Sequence, residues 1–205
     1  MIMEKIKKSN IIALLLLFVV CSFHGCKEVT VPKPEGYFRI DLPSKNYIQF
    51  NQTGQLPDIP LEFEYPSYGI ISGRNNSPSE PGWFNIEFPR FKAMIYLTYK
   101  DVKGELADLI EQTYTMNVKS HITKADAINE LVINDKDKRI FGILYDLKGN
   151  TATSVQFYVT DSINHYLRGS LYFDSEPNAD SLAPVIDFFR TDIIHLIETL
   201  KWKEK

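Results

Sequence analysis

Apolar and polar residues alternate in short segments of this chain, and this period of two restricts the possible folds more than any other feature. Leu61–Tyr65, Gly82–Phe88 and Lys92–Lys100 each place their apolar side chains on one side. Successive side chains of an extended strand point to opposite faces, so these segments predict antiparallel strands with one buried and one wet face. The same pattern predicts further strands at Tyr37–Leu42, Ile128–Ile133, Arg139–Lys148, Thr151–Thr160 and His165–Phe173.

Two segments have the period of a helix instead. Apolar residues recur every three or four positions in Glu105–Lys119, and a wide apolar stripe runs through Asn178–Trp202. Asp180 or Ser181 is expected to cap the second helix, with Pro184 in its first turn. The sequence therefore predicts the α+β class, an antiparallel sheet covered by two long helices. The order of elements is similar to the sandwich of photosystem oxygen-evolving subunit P and Mog1 proteins.

The amino terminus has the composition of an export signal. Three lysines precede Ile11–Val20, an unbroken apolar run that is half the length of about 20 residues needed to span a bilayer. Gly25 and Cys26 follow and resemble a bacterial lipobox, which predicts that Cys26 is acylated and becomes the first mature residue. Acylation at Cys21, or a secreted protein cut near Gly25 without lipid, are the alternatives.

These signals divide the chain into a signal peptide (1–25), a lipidated, proline-rich tether (26–36) and one α+β domain (37–205). The 205 residues are 44% hydrophobic, enough for one sizeable core. Both cysteines precede the domain, which excludes a disulfide within it. The formal charge of −3 and the lack of a basic stripe argue against nucleic-acid binding.

The domain carries no motif that indicates an enzyme, a metal or a cofactor. His121, His165 and His195 lie far apart in the sequence, and we interpret them as surface or helix-terminal residues rather than metal ligands. There is no Gly-x-Ser-x-Gly elbow and no phosphate-binding glycine loop. The acidic pair Glu62 and Glu64 is expected to lie on the solvated face of a strand. We therefore predict no catalytic residues and no cofactor.

Two features predict a surface that binds a partner. Ser67–Gly82 is a long polar loop, and loops on rigid scaffolds often carry recognition. The polar face of the first predicted strand combines a tyrosine, an arginine and an aspartate, although an ion pair covered by the tyrosine is an alternative explanation. The residues predicted to contact the partner are Tyr37, Arg39, Asp41, Arg74 and Trp83.

A modification signal is present in one predicted turn. Asp161-Ser162-Ile163 matches the short O-glycosylation pattern of exported Bacteroidetes proteins, which predicts a glycan at Ser162. Asp180-Ser181-Leu182 also matches, but a helix cap explains that position without a sugar.

Both ends of the domain resemble one protein family. Pro32–Pro43 (PKPEGYFRIDLP) and the closing stretches Leu167–Phe173 and Pro177–Val185 are similar to the gliding motility lipoprotein GldD of Bacteroidetes. The resemblance implies a part in the machinery for gliding and type IX protein secretion. It also implies a lipid-tethered scaffold that contacts the membrane and other envelope subunits. Its one transferable functional residue is the acylated Cys26.

The cellular location and two rival functions follow from smaller signals. Lys27 is not the aspartate associated with inner-membrane retention, so the outer membrane, facing the periplasm, is expected; the inner membrane and the cell surface are alternatives. A periplasmic ligand- or glycan-binding module would need a concave pocket lined by aromatic residues such as Trp83, Tyr96 and Tyr99. A hydrolase would need converging carboxylates or a bound metal.

Overall fold

Seven antiparallel strands form the main sheet of the computed structural model, which describes residues 39–50, 59–73 and 82–203. In chain order the strands are β1 (Tyr47–Gln49), β2 (Leu61–Glu62), β3 (Glu64–Pro66), β4 (Ile70–Gly73), β5 (Trp83–Phe88), β6 (Ala93–Asp101), β7 (Ala127–Asp135), β8 (Ile140–Lys148), β9 (Thr153–Thr160), β10 (His165–Phe173) and β11 (Lys201–Trp202). The helices are α1 (Leu106–Tyr114) and α2 (Ala179–Thr199). The main sheet has the order β4-β5-β6-β10-β9-β8-β7, and the pairs β1-β3 and β11-β2 are separate. The α+β class is confirmed.

Helix α2 covers one face of the main sheet. The apolar residues that alternate along β5, β6, β9 and β10 all point to this face and pack with the apolar stripe of α2. Complete burial of one such side chain contributes about 1.5–3 kcal/mol. The fully buried members of this core include Phe84, Ile86, Ile95, Leu97, Val155, Phe157, Leu167, Leu171, Phe189 and Ile193.

Helix α1 covers only part of the opposite face. It continues into a π-helical turn, Thr115–Lys119, and packs against the tyrosines and leucines of β8, β9 and β10. The predicted helix Glu105–Lys119 is present, but its regular α-helical part has only nine residues. The same face of β5 and β6 therefore lacks a helical cover among the described residues.

Three predicted boundaries are wrong. The described part of Tyr37–Leu42 forms no strand, because alternation produces a strand only where a neighbour supplies backbone hydrogen bonds. The predicted loop Ser67–Gly82 contains β4, which pairs with β5. The predicted helix Asn178–Trp202 ends at Thr199, because the following residues pair with β2 as β11.

The start of α2 also differs from the prediction. Asn178, not Asp180 or Ser181, is the cap, and its side chain accepts a hydrogen bond from the Ser181 backbone N–H at 3.0 Å. Pro184 is the sixth residue of the helix rather than part of its first turn. Its missing N–H therefore removes one intrahelical hydrogen bond.

A buried carboxylate on α2 fixes the segment that precedes β1. Asp192 accepts hydrogen bonds from Lys45 Nζ (2.7 Å), the Tyr47 hydroxyl (2.9 Å) and the Tyr68 hydroxyl (2.6 Å). Lys45 Nζ also donates to the backbone oxygen of Phe188 at 2.7 Å and lies over its ring. Burial and the carboxylate raise the pKa of both phenols, so they remain protonated donors. Burial lowers the pKa of Lys45, and the bond to Asp192 opposes that shift.

We expect Asp192→Asn to lower the free energy of unfolding by about 2–3 kcal/mol, measured by urea denaturation. Breaking a buried ion pair costs about 3–5 kcal/mol because the remaining charge is left uncompensated, and partial exposure of Lys45 reduces that figure. Asp187→Asn is the matched control on the same helix. Asp187 is exposed and pairs with Arg190, so its loss should cost less than about 1 kcal/mol. Equal effects of the two variants would contradict the assigned role of Asp192.

Candidate functional site

The structure places two predicted partner-binding residues side by side on the surface. Arg39 and Asp41 are exposed, and their side chains form an ion pair of 3.2 Å. The backbone oxygen of Asp41 accepts a hydrogen bond from Arg90, which follows β5, whereas Trp83 begins β5. Trp83 is therefore separated from this pair by the length of that strand, about 20 Å. Cys26, Tyr37 and Arg74 lie outside the described residues.

Trp83 lies instead in a pocket of about 420 Å³ on the sheet face that α1 leaves open. The strand register explains its composition. Trp83 and Arg168 flank Thr98 in one cross-strand row, and Asn85 and Ser170 flank Tyr96 in the next. The pocket is lined by Trp83, Asn85, Tyr96, Leu97, Thr98, Arg168, Ser170 and Tyr172.

Aromatic rings form the walls of this pocket, and small polar side chains form its floor. The rings of Tyr96 and Tyr172 meet edge to face, with centroids 5.4 Å apart. Tyr99, expected from the sequence to line the same concavity, points to the opposite face because neighbouring residues of a strand alternate. Its hydroxyl lies 2.7 Å from Asp101 Oδ1 and 2.8 Å from His165 Nδ1.

Arg168 is the charged group of the pocket, and neutral groups hold it in place. Its Nη1 donates to Met116 Sδ at 3.4 Å, and its Nη2 donates to Asn117 Oδ1 at 3.2 Å and Gln156 Oε1 at 3.3 Å. Met116 and Asn117 belong to the π-helical turn that follows α1, and such turns are frequent at functional sites. No carboxylate of the described residues lies within 4 Å of the guanidinium.

The edge strand β7 presents a second unusual surface. It pairs with β8 on one side, and no strand of the described part of the chain pairs with its other side. Leu131 and Val132 are 56% and 70% exposed. A long, exposed, apolar edge strand is a site for association with another chain. Ile128–Ile133 was predicted as a strand, but a local residue pattern does not indicate whether a strand is the last of its sheet.

Two histidines form structural contacts. His165 is buried, contrary to its interpretation as a surface residue, and its ring stacks on Trp202 at 5.2 Å. His195 lies near the end of α2, where it stacks on Tyr47 at 3.6 Å and its Nε2 is 2.7 Å from Glu64 Oε2. Glu64 is therefore engaged with a side chain rather than only solvated. Among the described residues, no three His, Cys, Asp or Glu side chains cluster in a way that could hold a metal ion.

The turn that carries Ser162 is fixed by one carboxylate. Asp161 Oδ1 accepts the backbone N–H groups of Ile163 (3.0 Å), Asn164 (2.8 Å) and His165 (2.8 Å). Burial alone would raise the pKa of Asp161, but these donors stabilise the carboxylate and bring its pKa below the usual value. Ser162 is exposed at the tip of the turn, with a φ of 69°. A glycan at this position stays a prediction.

The free energy of unfolding should depend on pH through Asp161. Its pKa is lower in the folded state, so the unfolded chain takes up the proton first as the pH falls. The contribution of Asp161 to the free energy of unfolding is therefore present above the unfolded-state pKa of about 4 and is lost as the pH falls through the lower, folded-state pKa. The difference in unfolding free energy between the native chain and Asp161→Asn should shrink between pH 5 and pH 3. Asp137→Asn, in an exposed turn, serves as the control, and a difference independent of pH would contradict this assignment.

The fold and its surfaces define a class of protein: an α+β domain with one sheet face closed by a long helix and an opposite face that keeps an open pocket. None of the described helices is long and apolar enough to cross a membrane. A family model described as gliding motility lipoprotein GldD matches residues 27–202. The chain belongs to the gliding motility lipoprotein GldD family, which confirms the resemblance. Membership of this family implies association with the cell envelope and a role in gliding motility.

The chain is similar to cyanobacterial PsbP (CyanoP) from Synechocystis sp. PCC 6803, with 11% sequence identity and a TM-score of 0.45. The comparison covers 88% of this chain and 99% of that one. A search of curated protein sequences finds no match.

The side chains around the pocket should tolerate substitution. Tyr96 is 40% exposed, and its edge-to-face contact with Tyr172 contributes about 0.5–1.5 kcal/mol. Tyr96→Ala should therefore lower the free energy of unfolding by about 1 kcal/mol, measured by urea denaturation. Phe157→Ala, a fully buried position in the same sheet, should cost about 3–5 kcal/mol. If Tyr96→Ala is as costly as Phe157→Ala, the pocket is part of the folding core.

Proposed function

We propose that this chain is a lipid-anchored, non-catalytic scaffold subunit that supports assembly of the gliding and type IX secretion machinery. The observation that carries the proposal is the family match over residues 27–202, which begins directly after Cys26. The matched region therefore includes the tether segment as well as the folded domain. The partners are other envelope proteins of the same machinery.

The anchor in this proposal is an acylated Cys26. Each buried CH₂ of an acyl chain contributes about 0.8 kcal/mol, and two or more chains anchor a protein stably. The lysine at position 27 favours the outer membrane of a Bacteroidetes cell, with the domain in the periplasm. The inner membrane and the cell surface are the alternative locations.

A scaffold must transmit force between its anchor and its partners. The segment 39–50 is the first part of the chain that the structure describes, and Lys45 and Tyr47 within it bind the buried Asp192 on α2. The ring of Tyr47 also stacks on His195 of the same helix. Lys45 and Tyr47 thus connect this segment to a buried polar network on the longest described helix.

We assign the main partner surface to the β7 edge. The exposed Leu131 and Val132 can be covered by another subunit, and the unpaired backbone of the edge can accept a further strand. The exposed Arg39 and Asp41, together with Tyr37, Arg74 and Trp83, remain proposed partner contacts. The carboxylates of Asp161 and Asp192 are engaged in hydrogen bonds that hold the fold, which supports a binding role over acid–base catalysis.

The double variant Leu131→Glu/Val132→Glu should retain its fold and membrane anchor but lose most of its crosslinks to envelope proteins. Two charges on the free edge of β7 would oppose apolar packing and strand addition. Crosslinking in cells followed by purification and mass spectrometry measures the loss, which we expect to be at least tenfold. Gliding and secretion should fall in parallel.

Ile70→Glu is the matched control for this experiment. Ile70 is 56% exposed, as Leu131 is, but it lies on β4 at the opposite edge of the main sheet. Its crosslinks should remain at the level of the native chain. Cys26→Ala should release the protein from the membrane. Unchanged crosslinks in the double variant, or normal gliding and secretion in a deletion strain, would contradict the proposal.

A further inference from the structure

Arg168, which lines the pocket beside Trp83 and Tyr96, has more hydrogen-bond donors than acceptors around it. A guanidinium has five N–H groups, and the contacts to Met116, Asn117 and Gln156 use three of them. The buried Nε has no hydrogen-bond partner in the described part of the chain. Two groups next to Arg168 are unsatisfied as well, Gln156 Nε2 and Asn117 Nδ2, on residues that are 1% and 0% exposed; Arg190 Nε, on the α2 face, is a further one.

This clustering indicates the chemistry of a missing partner. Folded proteins leave few buried polar groups without a hydrogen bond, and each exception requires an explanation. The three unsatisfied groups here are all N–H donors on side chains that contact one another. The group that would satisfy such a cluster is an acceptor without a donor of its own, and a carboxylate is one such group.

The charge of Arg168 leads to the same conclusion. Arg190, a partly buried arginine on the α2 face, has Asp146 as its counter-ion at 2.7 Å. Arg168 has no such counter-ion among the described residues, although the strands of the main sheet carry acidic residues at other positions. One uncompensated guanidinium matches a single negative charge, and the N–H that remains on Nη1 can donate to a carboxylate.

The rest of the pocket limits the body of the ligand. Its volume of about 420 Å³ lies within the range of small-molecule sites. Trp83, Tyr96 and Tyr172 provide flat apolar walls, and Thr98 and Ser170 place hydroxyl groups between them. Such walls accept the face of a ring, and the hydroxyl groups can bond to its polar substituents.

We propose that this pocket binds a small carboxylic acid built on a single ring. The carboxylate lies against Arg168, and the ring lies among Trp83, Tyr96 and Tyr172. Aromatic acids and sugar acids both carry a carboxylate on a ring. The site is independent of the β7 edge and of the lipid anchor. Absence of ligand binding would therefore leave the scaffold proposal intact.

The test uses two pairs of ligands that differ only in the charged group, benzoate with benzamide and D-glucuronate with D-glucuronamide. Binding to the full chain in detergent is measured by nuclear magnetic resonance titration. At least one acid should bind ten or more times more tightly than its amide, and the pair that shows this identifies an aromatic or a sugar ring. Absence of this preference in both pairs overturns the proposal.

Variants assign the preference to the pocket. Arg168→Gln should reduce the affinity for the preferred acid at least tenfold and leave that for the amide unchanged, whereas Arg90→Gln, at an exposed arginine, should change neither. Tyr96→Ala, which keeps Arg168, should weaken the acid and its amide by the same factor. If Arg168→Gln does not fold, the affinities measured for Tyr96→Ala alone test the proposal. Unchanged binding in Tyr96→Ala, or a folded Arg168→Gln that still prefers the acid, overturns the proposal.

Discussion

The connection between the amino-terminal segment and the rest of the domain depends on one buried carboxylate. Asp192 receives hydrogen bonds from Lys45, Tyr47 and Tyr68, so two separate segments of the chain meet on α2. Burial of a charge is costly, and it is tolerated only where several donors replace the lost water. The apolar stripe of α2 holds the helix on the sheet, but that stripe does not order the residues before β1. The polar network supplies this order.

The two faces of the main sheet have different roles. The α2 face is filled by apolar side chains, and its buried arginine and aspartate residues all have partners. The other face is filled only where α1 covers it, and beyond α1 it carries the Arg168 pocket. The larger apolar core thus lies on one face, whereas the other keeps polar groups in an open pocket. An open groove also keeps the uncompensated guanidinium in partial contact with water, which limits the cost of leaving it without a counter-ion.

The sequence predicted the parts of the fold in which one residue pattern determines the local structure. Alternation located β5 to β10 within a few residues, because each of these strands has one apolar face against the α2 or α1 side. It did not predict β4 or β11, which are short and depend on pairing with distant segments. Asp192 was missed although a signal exists. It lies on the buried stripe of α2 between Phe189 and Leu196, where an acidic residue needs a buried partner.

The candidate sites were less predictable because they depend on distances that local patterns do not contain. Alternation correctly places Trp83, Tyr96 and Arg168 on polar faces of their strands, but these residues lie up to 85 positions apart in the chain. Only the pairing of β6 with both β5 and β10 brings the three side chains together. The length of α1 then decides whether they are covered. A helix two turns longer, directed over β6, would have closed the face and made Arg168 an unpaired buried charge, which the fold could not tolerate. The short α1 and the uncompensated arginine therefore depend on each other, and together they define the open pocket.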